Sequence, residues 1–232
     1  MELMNIIIIP ARGGSKGIPK KNLQKVGGMT LVRRAVLAGL GSKADLVIVS
    51  TDDGEISNQV KGLNAVIHHR SDENSNDTAT SESVIVEVIK DLGSDWPQDA
   101  LLAMVQVTSP FTTPEIINEC FNLASKGFTG FTAVNSHKLI WRESSTGWQP
   151  INHPLSHRPR RQEMMREVYE TGAVYAFQLG AFIDSRYRFC LPAAPLIVNE
   201  MRSIDIDSLE DLMYAELIHE HQNILAAVER EM

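Results

Sequence analysis

The chain has 232 residues, 43% of them hydrophobic, which is enough to bury a sizeable core in one domain. Its formal net charge of -7 argues against general nucleic-acid binding, because that mode of binding requires a broad basic surface. We expect no membrane partner, since no apolar run approaches the length of a membrane-spanning helix. No signal peptide is recognisable, and Cys120 and Cys190 lie far apart, so the sequence predicts a cytoplasmic protein.

The first predicted element is a strand that leads into a glycine-rich basic turn. Four consecutive isoleucines, residues 6–9, indicate a strand buried on both faces, as in parallel sheets covered by helices. The turn that follows has glycines that let backbone N–H groups converge on phosphate oxygens, and cations whose hydrogen bonds contribute about 1.5 to 3 kcal/mol each. These residues are Gly13, Gly14 and Gly17, with Arg12, Lys16, Lys20 and Lys21.

The turn therefore predicts a site for a nucleoside triphosphate. Its spacing matches neither GxxxxGK[ST] nor GxGxxG, so the ATPase P-loop and the dinucleotide fingerprint both fit poorly. From the glycines and charges alone, an ordinary basic surface turn is an equally compatible interpretation.

Strand-like and helix-like segments then alternate along the first half of the chain. Strands are predicted at residues 5–9, 46–50, 65–68 and 101–106, and helices at residues 30–40, 53–61 and 80–92. This order indicates a mainly parallel sheet flanked by helices, in which ligands bind at the carboxyl ends of the strands. Thr113 and Pro114 are a typical N-cap and first helical residue, which predicts a further helix to about residue 125.

Helical periodicity lapses between residues 131 and 166, a segment that contains Trp141, Trp148 and the basic string HRPRRQ. We expect this segment to be an excursion from the main sheet within a single domain of residues 1–232. Alternation resumes at residues 172–178. A last helix is predicted at residues 208–229, with Ser208 as its N-cap.

Two aspartates just before that helix alternate with isoleucines in SIDIDSLEDL. The alternation puts Asp205 and Asp207 on one face of a strand, with Cα atoms about 6.6 Å apart. Magnesium prefers a few carboxylates together with phosphate oxygens and water, so the pair suits a metal–nucleotide site. Spacing alone leaves open that Asp207 merely favours the helix N-terminus and that Asp205 is solvated.

The string ARGGSKGIPKKN, residues 11–22, resembles the N-terminal signature of the CMP-sialic acid synthetase (acylneuraminate cytidylyltransferase) family. The resemblance implies a Rossmann-like nucleotidyltransferase fold whose first loop wraps the triphosphate of CTP. It makes Arg12 and Lys21 phosphate-binding and catalytic residues and puts Asn22 near the ribose. The implied nucleotide-binding residues of this loop are Ala11, Arg12, Gly13, Lys16, Lys21 and Asn22.

Two later segments are similar to the same family. RSDENSNDTATS resembles the loop that reads cytosine, with Arg70 and Ser81 at the matching positions, although a polar loop that caps the next helix fits equally well. VQVTSPFTTPEII resembles the family's LQPTSPLRT, which implies that Gln106 binds the acceptor sugar. This segment departs from the family pattern at Val107 and at Thr112, where an arginine is usual.

HRPRRQEMMREVYETGAVY resembles the family's RPRRQ and YENG stretch, with Thr171 in place of the asparagine. A guanidinium can hold a carboxylate through two parallel hydrogen bonds, as recognition of an α-keto acid sugar demands. The resemblance implies a catalytic role for Arg160. The implied acceptor-binding residues of this stretch are Arg161, Gln162 and Tyr175.

By resemblance, the chain transfers CMP from CTP to the anomeric hydroxyl of an acylneuraminate-like α-keto acid sugar and releases pyrophosphate. Mg²⁺ or Mn²⁺ on Asp205 and Asp207 is the implied cofactor, and a homodimer formed through residues 131–166 is implied. The departures at Thr112 and Thr171 keep other acceptors open: an eight-carbon keto acid sugar, a diamino nonulosonate or a phosphonate. A catalytically silent CTP-binding protein is a further alternative, and the sequence identifies no general base.

Overall fold

The computed structural model of the chain describes residues 3–15 and 17–222. The strands of this part are β1 (Asn5–Pro10), β2 (Lys25–Val26), β3 (Met29–Thr30), β4 (Leu46–Thr51), β5 (Val66–His69), β6 (Leu101–Val105), β7 (Thr129–Ser136), β8 (Trp141–Ser144), β9 (Gly147–Pro150), β10 (Glu167–Gln178) and β11 (Ala193–Ile197). The helices are α1 (Leu31–Leu40), α2 (Gly54–Val60), α3 (Asp72–Ser75), α4 (Ser81–Leu92), α5 (Pro114–Ser125), α6 (Leu179–Ser185) and α7 (Leu209–Glu220). None of these helices is long and apolar enough to span a bilayer.

Seven strands form one sheet in the order β11-β7-β10-β6-β1-β4-β5. β1 pairs in parallel with β4 and β6, β4 with β5, and β11 with β7, whereas β10 is antiparallel to both of its neighbours. The prediction of a mainly parallel sheet flanked by helices is confirmed.

The four isoleucines of β1 are fully buried because both faces of the sheet are covered. Ile7 and Ile9 pack in the cluster that includes α1 and α5, and Ile6 and Ile8 pack in the cluster that includes α4 and α6. Full burial of such a side chain stabilises the fold by about 1.5 to 3 kcal/mol. The core therefore anchors the strand that carries the glycine-rich turn.

The segment that was predicted to leave the sheet leaves it later than expected. Residues 131–136 belong to β7, whose side chains are buried at every position except Asn135, and they pair with β10 and β11. The part outside the sheet starts at residue 137 and contains the hairpin of β8 and β9. The expected strand at residues 172–178 is the second half of β10, which has a bulge between Glu170 and Tyr175.

Helix starts follow the predicted caps. The side chain of Thr113 accepts a hydrogen bond from the Ile116 N–H, and the side chain of Ser208 accepts one from the Asp211 N–H. Such a cap typically contributes about 1 kcal/mol. The predicted continuation of the last helix to residue 229 lies partly outside the described residues, which end at residue 222.

Candidate active site

A cleft of about 380 Å³ lies where β1 and β6 reach their carboxyl ends. The turn after β1, the loop before α4 and the segment before α7 all contribute to it, as expected for ligand sites of parallel sheets. Residues that line it include Arg12, Gly17, Lys21, Asn22, Arg70, Asp77, Ser81, Gln106, Thr108 and Asp207. The fold thus brings together in one cleft seven of the residues that the sequence proposed as site residues: Arg12, Lys21, Asn22, Arg70, Ser81, Gln106 and Asp207.

The glycine-rich turn packs directly against the aspartate segment. Lys21 Nζ lies 2.8 Å from Asp207 Oδ1, although the two residues are 186 positions apart. A Cβ atom on Gly17 would lie 2.6 Å from the Asp207 carbonyl oxygen, so only glycine fits this contact. The two ends of the chain therefore form one wall of the cleft.

Arg12 extends across the cleft toward the loop before α4. Its Nη1 donates to Asp77 Oδ1 at 2.8 Å and to the Asn76 carbonyl at 3.1 Å. Its own carbonyl accepts from Asn22 Nδ2 at 2.8 Å, which fixes the turn from inside. Arg12 and Lys21 therefore both line the cleft.

The aspartate segment belongs to no strand of the structure, although burial alternates along it as it would along the predicted strand. Ile206 is fully buried, whereas Asp205 and Asp207 are exposed on either side of it. The Ile206 N–H donates to the Thr108 carbonyl at 2.9 Å, which holds the segment beside the end of β6. Although one side of Asp205 is open to solvent, the surrounding atoms desolvate it and raise its pKa, and the Asp207 charge adds to this shift.

The opposite wall of the cleft contains a buried cation, Arg70. Its Nη2 donates to the Ser50 carbonyl at 2.8 Å and its Nε to Ser50 Oγ at 3.3 Å. Burial lowers the pKa of this guanidinium, and the charges of Asp52 and Glu87 partly oppose the shift. Ser81 is the first residue of α4, which Thr80 caps through the Ser83 N–H, so this loop both caps a helix and faces the cleft.

Tyr175 lies beside the cleft in the sheet, not on its lining. The side chain is 5% exposed, and its hydroxyl donates to Glu170 Oε2 at 2.7 Å. Burial, followed by the hydrogen bond to Glu170, raises the pKa of this phenol. Arg188 stacks 4.7 Å from its ring centre and pairs with Glu82, in the first turn of α4.

The three residues expected from the basic string lie on a separate surface. Arg161 and Gln162 are in a single 3-10 turn, and the Arg160 N–H begins that turn by donating to Glu163 Oε2 at 2.9 Å. Arg161 lines a second hollow with His137 and Leu139, about 310 Å³ in volume. The catalytic role predicted for Arg160 and the acceptor-binding roles predicted for Arg161 and Gln162 remain predictions.

Two of the three departures from the family pattern, Thr171 and Thr112, have hydroxyl groups packed against protein. Thr171 is buried, and its Oγ1 donates to Thr132 Oγ1 at 2.7 Å, across the β7–β10 pair. Thr112 Oγ1 is buried without a hydrogen-bond partner among the described residues. The hydroxyl of Thr171 therefore stabilises the pairing of β7 and β10.

The predicted nucleotide-binding residues of the first loop also include Ala11, Gly13 and Lys16. Ala11 is fully buried, and its N–H donates to the Ser50 carbonyl at 2.9 Å, so that amide is not available to a ligand. Lys16 lies outside the described residues, and its predicted role remains a prediction. The Gly13 N–H donates to Asp52 Oδ1 at 2.8 Å.

Sequence reasoning missed three groups that shape the cleft. Asp52 holds the Gly13 amide, Asp77 pairs with Arg12, and Thr108 holds the aspartate segment. Asp52 follows β4 directly, so its position at the carboxyl end of a parallel strand was a usable signal. The other two contacts join residues at least 65 positions apart, and spacing gave no sign of them.

A larger cavity, about 740 Å³, lies at the opposite end of the sheet. It surrounds the amino ends of β1 and β6 and has Lys43 and Asp45 as its charged residues. It lacks the clustered cations that a triphosphate requires. We therefore assign the candidate site to the smaller cleft.

The cytidylyltransferase family model matches residues 6–227. The chain belongs to the cytidylyltransferase family. Within this family it is 36% identical to N-acylneuraminate cytidylyltransferase B of Danio rerio over 174 residues, which are 72% of this chain and 40% of that relative. It is 27% identical to N-acylneuraminate cytidylyltransferase of Streptococcus agalactiae over 221 residues, 90% of this chain and 52% of the relative. The chain thus spans about half the length, or less, of these curated relatives.

Solved cytidylyltransferase-type structures share the fold. A CMP:2-keto-3-deoxy-manno-octonic acid synthetase complexed with CTP superposes with a TM-score of 0.69 at 16% identity, covering 94% of this chain and 99% of that one. A 2-C-methyl-D-erythritol 4-phosphate cytidylyltransferase from Thermus thermophilus gives 0.65 at 18% identity, covering 95% and 100%. The Rossmann-like nucleotidyltransferase fold expected from ARGGSKGIPKKN is confirmed.

Proposed function

We propose that this chain transfers CMP from CTP to the anomeric hydroxyl of an acylneuraminate-like α-keto acid sugar, with release of pyrophosphate. The observation that carries the proposal is the cleft at the carboxyl ends of the strands, where Arg12, Lys21 and Arg70 face Asp207. The similarity of the chain to proteins named N-acylneuraminate cytidylyltransferase supports the choice of acceptor.

In this proposal, different residues of the cleft bind the triphosphate and the base of the nucleotide. Arg12 and Lys21 bind the triphosphate, with Gly13 and Asn22 shaping the turn around it. Arg70 and Ser81 read the cytosine, because a buried guanidinium offers donors in a fixed plane to the acceptor edge of a base. Positive charge fixed at the phosphates lowers the barrier most where negative charge develops on the leaving pyrophosphate.

Asp205 and Asp207 fit a divalent metal, Mg²⁺ or Mn²⁺. Both carboxylates are exposed, and Asp207, which lines the cleft, already pairs with the Lys21 ammonium at 2.8 Å, which supports a cation at this position. Carboxylate oxygens are the ligands such ions prefer. When bound, the metal would supply positive charge to the triphosphate, and Lys21 would then be free to donate to phosphate.

The acceptor side of the proposal rests on Gln106 and on the residues beyond the cleft. Gln106 is held at the end of β6 by its N–H, which donates to the Ala173 carbonyl at 2.9 Å, and its side chain lines the cleft. Alignment of the acceptor hydroxyl with the α-phosphate can contribute several kcal/mol to the rate. On the resemblance alone, we assign Arg160 a catalytic role and Arg161, Gln162 and Tyr175 to acceptor binding.

A homodimer, formed through the segment that follows β7, and a cytoplasmic location belong to the same proposal. Exposed apolar side chains on the β8–β9 hairpin support the dimer, and the two cysteines, which form no disulfide, support a reducing compartment. Burial raises the pKa of the Cys120 thiol to about 12, so it is assigned to packing rather than to nucleophilic chemistry.

The experiment is a pyrophosphate-release assay with all four nucleoside triphosphates and a panel of acceptors. The panel contains nine-carbon and eight-carbon keto acid sugars, a diamino nonulosonate and a phosphonate. Release with CTP and the nine-carbon acid alone is expected. Preference for another acceptor would move the chain to a different cytidylyltransferase activity, and CTP binding without release for every acceptor would make it a silent binding protein.

The metal assignment is tested by Asp207→Asn. We expect turnover to fall by about 100-fold or more, since charge at the phosphates is reduced. Mn²⁺ binding, followed by electron paramagnetic resonance, should weaken in parallel. Asp95→Asn, a change in the loop after α4, is the control and should alter neither measurement. Wild-type Mn²⁺ affinity in the Asp207 variant would show that the assignment is wrong.

A further inference from the structure

A line of hydrogen bonds runs from Arg70, in the cleft, to the outer surface of α4. Arg70 Nε lies 3.3 Å from Ser50 Oγ, which lies 3.0 Å from His68 Nδ1. His68 Nε2 lies 3.1 Å from Asp91 Oδ2. Ser50 and His68 are directly opposite each other on the paired strands β4 and β5, and both are buried.

For a neutral His68, the two ends of this line set the direction of every hydrogen bond in it. An arginine only donates, so Ser50 Oγ accepts from Arg70 and directs its own proton to His68 Nδ1. His68 then carries its proton on Nε2 and donates it to Asp91, because an ionised carboxylate only accepts. A neutral His68 protonated at Nε2 satisfies all four groups at once.

Ser50 is the point where this line meets the glycine-rich turn. Its carbonyl accepts from both Ala11 N–H and Arg70 Nη2, at 2.9 and 2.8 Å. Its hydroxyl is the second acceptor for Arg70, so the guanidinium plane is fixed at two points. A change in the orientation of the Ser50 hydroxyl would therefore release one edge of Arg70.

A second contact from α4 holds the residue that follows Arg70. Glu87, one turn before Asp91, accepts from the Ser71 N–H and from Asn74 Nδ2, both at 2.8 Å. His68, Glu87 and Asp91 also lie close enough together to share a metal ion. In the part of the chain that the structure describes, they are the one group of three or more histidine, cysteine, aspartate or glutamate residues that does so. Glu87 and Asp91 already accept hydrogen bonds from protein donors, and His68 Nε2 donates to Asp91, which favours a positioning role over a metal site.

We propose that His68 and Asp91, which do not line the cleft, are positioning residues that orient Arg70 through the Ser50 hydroxyl for recognition of the nucleotide base. This inference rests on the proposed function, in which Arg70 contacts cytosine. It separates two parts of CTP binding: the line controls the base and leaves the triphosphate contacts of Arg12 and Lys21 unchanged.

Two substitutions at His68 test the line atom by atom. In His68→Asn the amide oxygen takes the place of Nδ1 and still accepts from Ser50, whereas in His68→Gln the amide takes the place of Nε2 and that acceptor is lost. We expect the Kd for CTP, measured by calorimetry on the full chain, to rise about tenfold in His68→Gln and to stay within about twofold in His68→Asn. The Kd for inorganic tripolyphosphate should stay unchanged in both variants.

His69→Gln is the matched control, because His69 is the exposed neighbour on the opposite face of β5. Asp91→Ala tests the far end of the line from the surface, where the variant is least able to disturb folding, and should weaken CTP binding by about threefold, with recovery in Asp91→Asn. Nitrogen-15 NMR of the wild type should show His68 protonated on Nε2 alone.

Three results would overturn the inference. They are equal CTP affinity in His68→Gln and wild type, a parallel loss of CTP and tripolyphosphate affinity, and an Nδ1-protonated His68. Failure of the proposed function looks different, because the wild-type chain would then bind no CTP or would release no pyrophosphate. If His68→Gln does not fold, the Asp91 pair of variants and the NMR measurement decide the question.

Discussion

At the scale of single residues, Arg12 and Lys21, the two cations of the glycine-rich turn that line the cleft among the described residues, are each paired with a carboxylate. Arg12 pairs with Asp77 and Lys21 with Asp207, both at 2.8 Å. Pairs this open to solvent contribute little to folding, about 0 to 1 kcal/mol. In the proposed function, these pairs are therefore easily exchanged for phosphate oxygens, and the carboxylates hold the two cations in place in the free protein.

Gly17 gives a prediction at this scale, because a side chain there would meet the Asp207 backbone at 2.6 Å. Gly17→Ala should separate the turn from the aspartate segment and cost about 1 to 3 kcal/mol in the free energy of unfolding. Gly14→Ala is the control, since a Cβ there meets nothing within 4 Å. Urea unfolding of both variants measures the difference, and equal stability would contradict the packing of the two segments.

At the scale of elements, the sequence predicted those features of the fold that depend on local residue patterns. Apolar runs located β1, β4 and β6, and caps such as Thr113 located helix starts, because these signals depend on neighbouring residues. The late departure from the sheet was missed because β7 is buried on both faces and shows no clean alternation. The cleft contacts of Asp77 and Thr108 were missed because only the folded chain brings them together.

The ion pair between Glu82 and Arg188 joins two elements and gives the second prediction. Arg188 Nε lies 2.6 Å from Glu82 Oε1, with side chains only 19% and 15% exposed, and it ties α4 to the segment after α6. Glu82→Gln should lower the free energy of unfolding by about 1 to 3 kcal/mol at pH 7. Glu55→Gln is a matched control, since Glu55 also lies in a first helical turn but pairs with Lys20 in the open, and should cost less than about 1 kcal/mol.

The same pair has a defined pH dependence. Desolvation raises the pKa of Glu82, but the hydrogen bonds and charge of Arg188 outweigh it and leave the pKa lowered overall. A carboxyl group whose pKa is lowered by folding stabilises the protein above its unfolded pKa, about 4.3, and loses that contribution as pH falls through the folded value. The stability difference between wild type and Glu82→Gln should therefore shrink below about pH 4, and a constant difference would argue against the ion pair.

At the scale of the whole molecule, the cleft and the segment that follows β7 differ in how they pack on the core. The cleft is built from the ends of β1 and β6, the loop before α4 and the aspartate segment, whose Ile206 is buried in the same cluster as Ile7 and Ile9 of β1. Arg161 lines a different hollow, and its 3-10 turn follows the β8–β9 hairpin in the sequence. The proposed function therefore divides acceptor recognition between this exposed turn, with Arg161 and Gln162, and the sheet, with Gln106 and Tyr175.

The hairpin leads to the last prediction, which concerns assembly. Trp148 is 64% exposed and Trp141 44%, and Ile140, Ile151 and Leu155 are exposed near them. Clustered exposed aromatic and aliphatic side chains are typical of interface cores, where one tryptophan commonly contributes 2 kcal/mol or more to association. We therefore expect sedimentation analysis to show a dimer, and Trp148→Ser to raise its dissociation constant by about 30-fold. Tyr214→Ser removes a similarly exposed aromatic ring from α7 and should leave the dimer intact, whereas equal effects of the two changes, or a monomeric wild type, would exclude the hairpin as the interface.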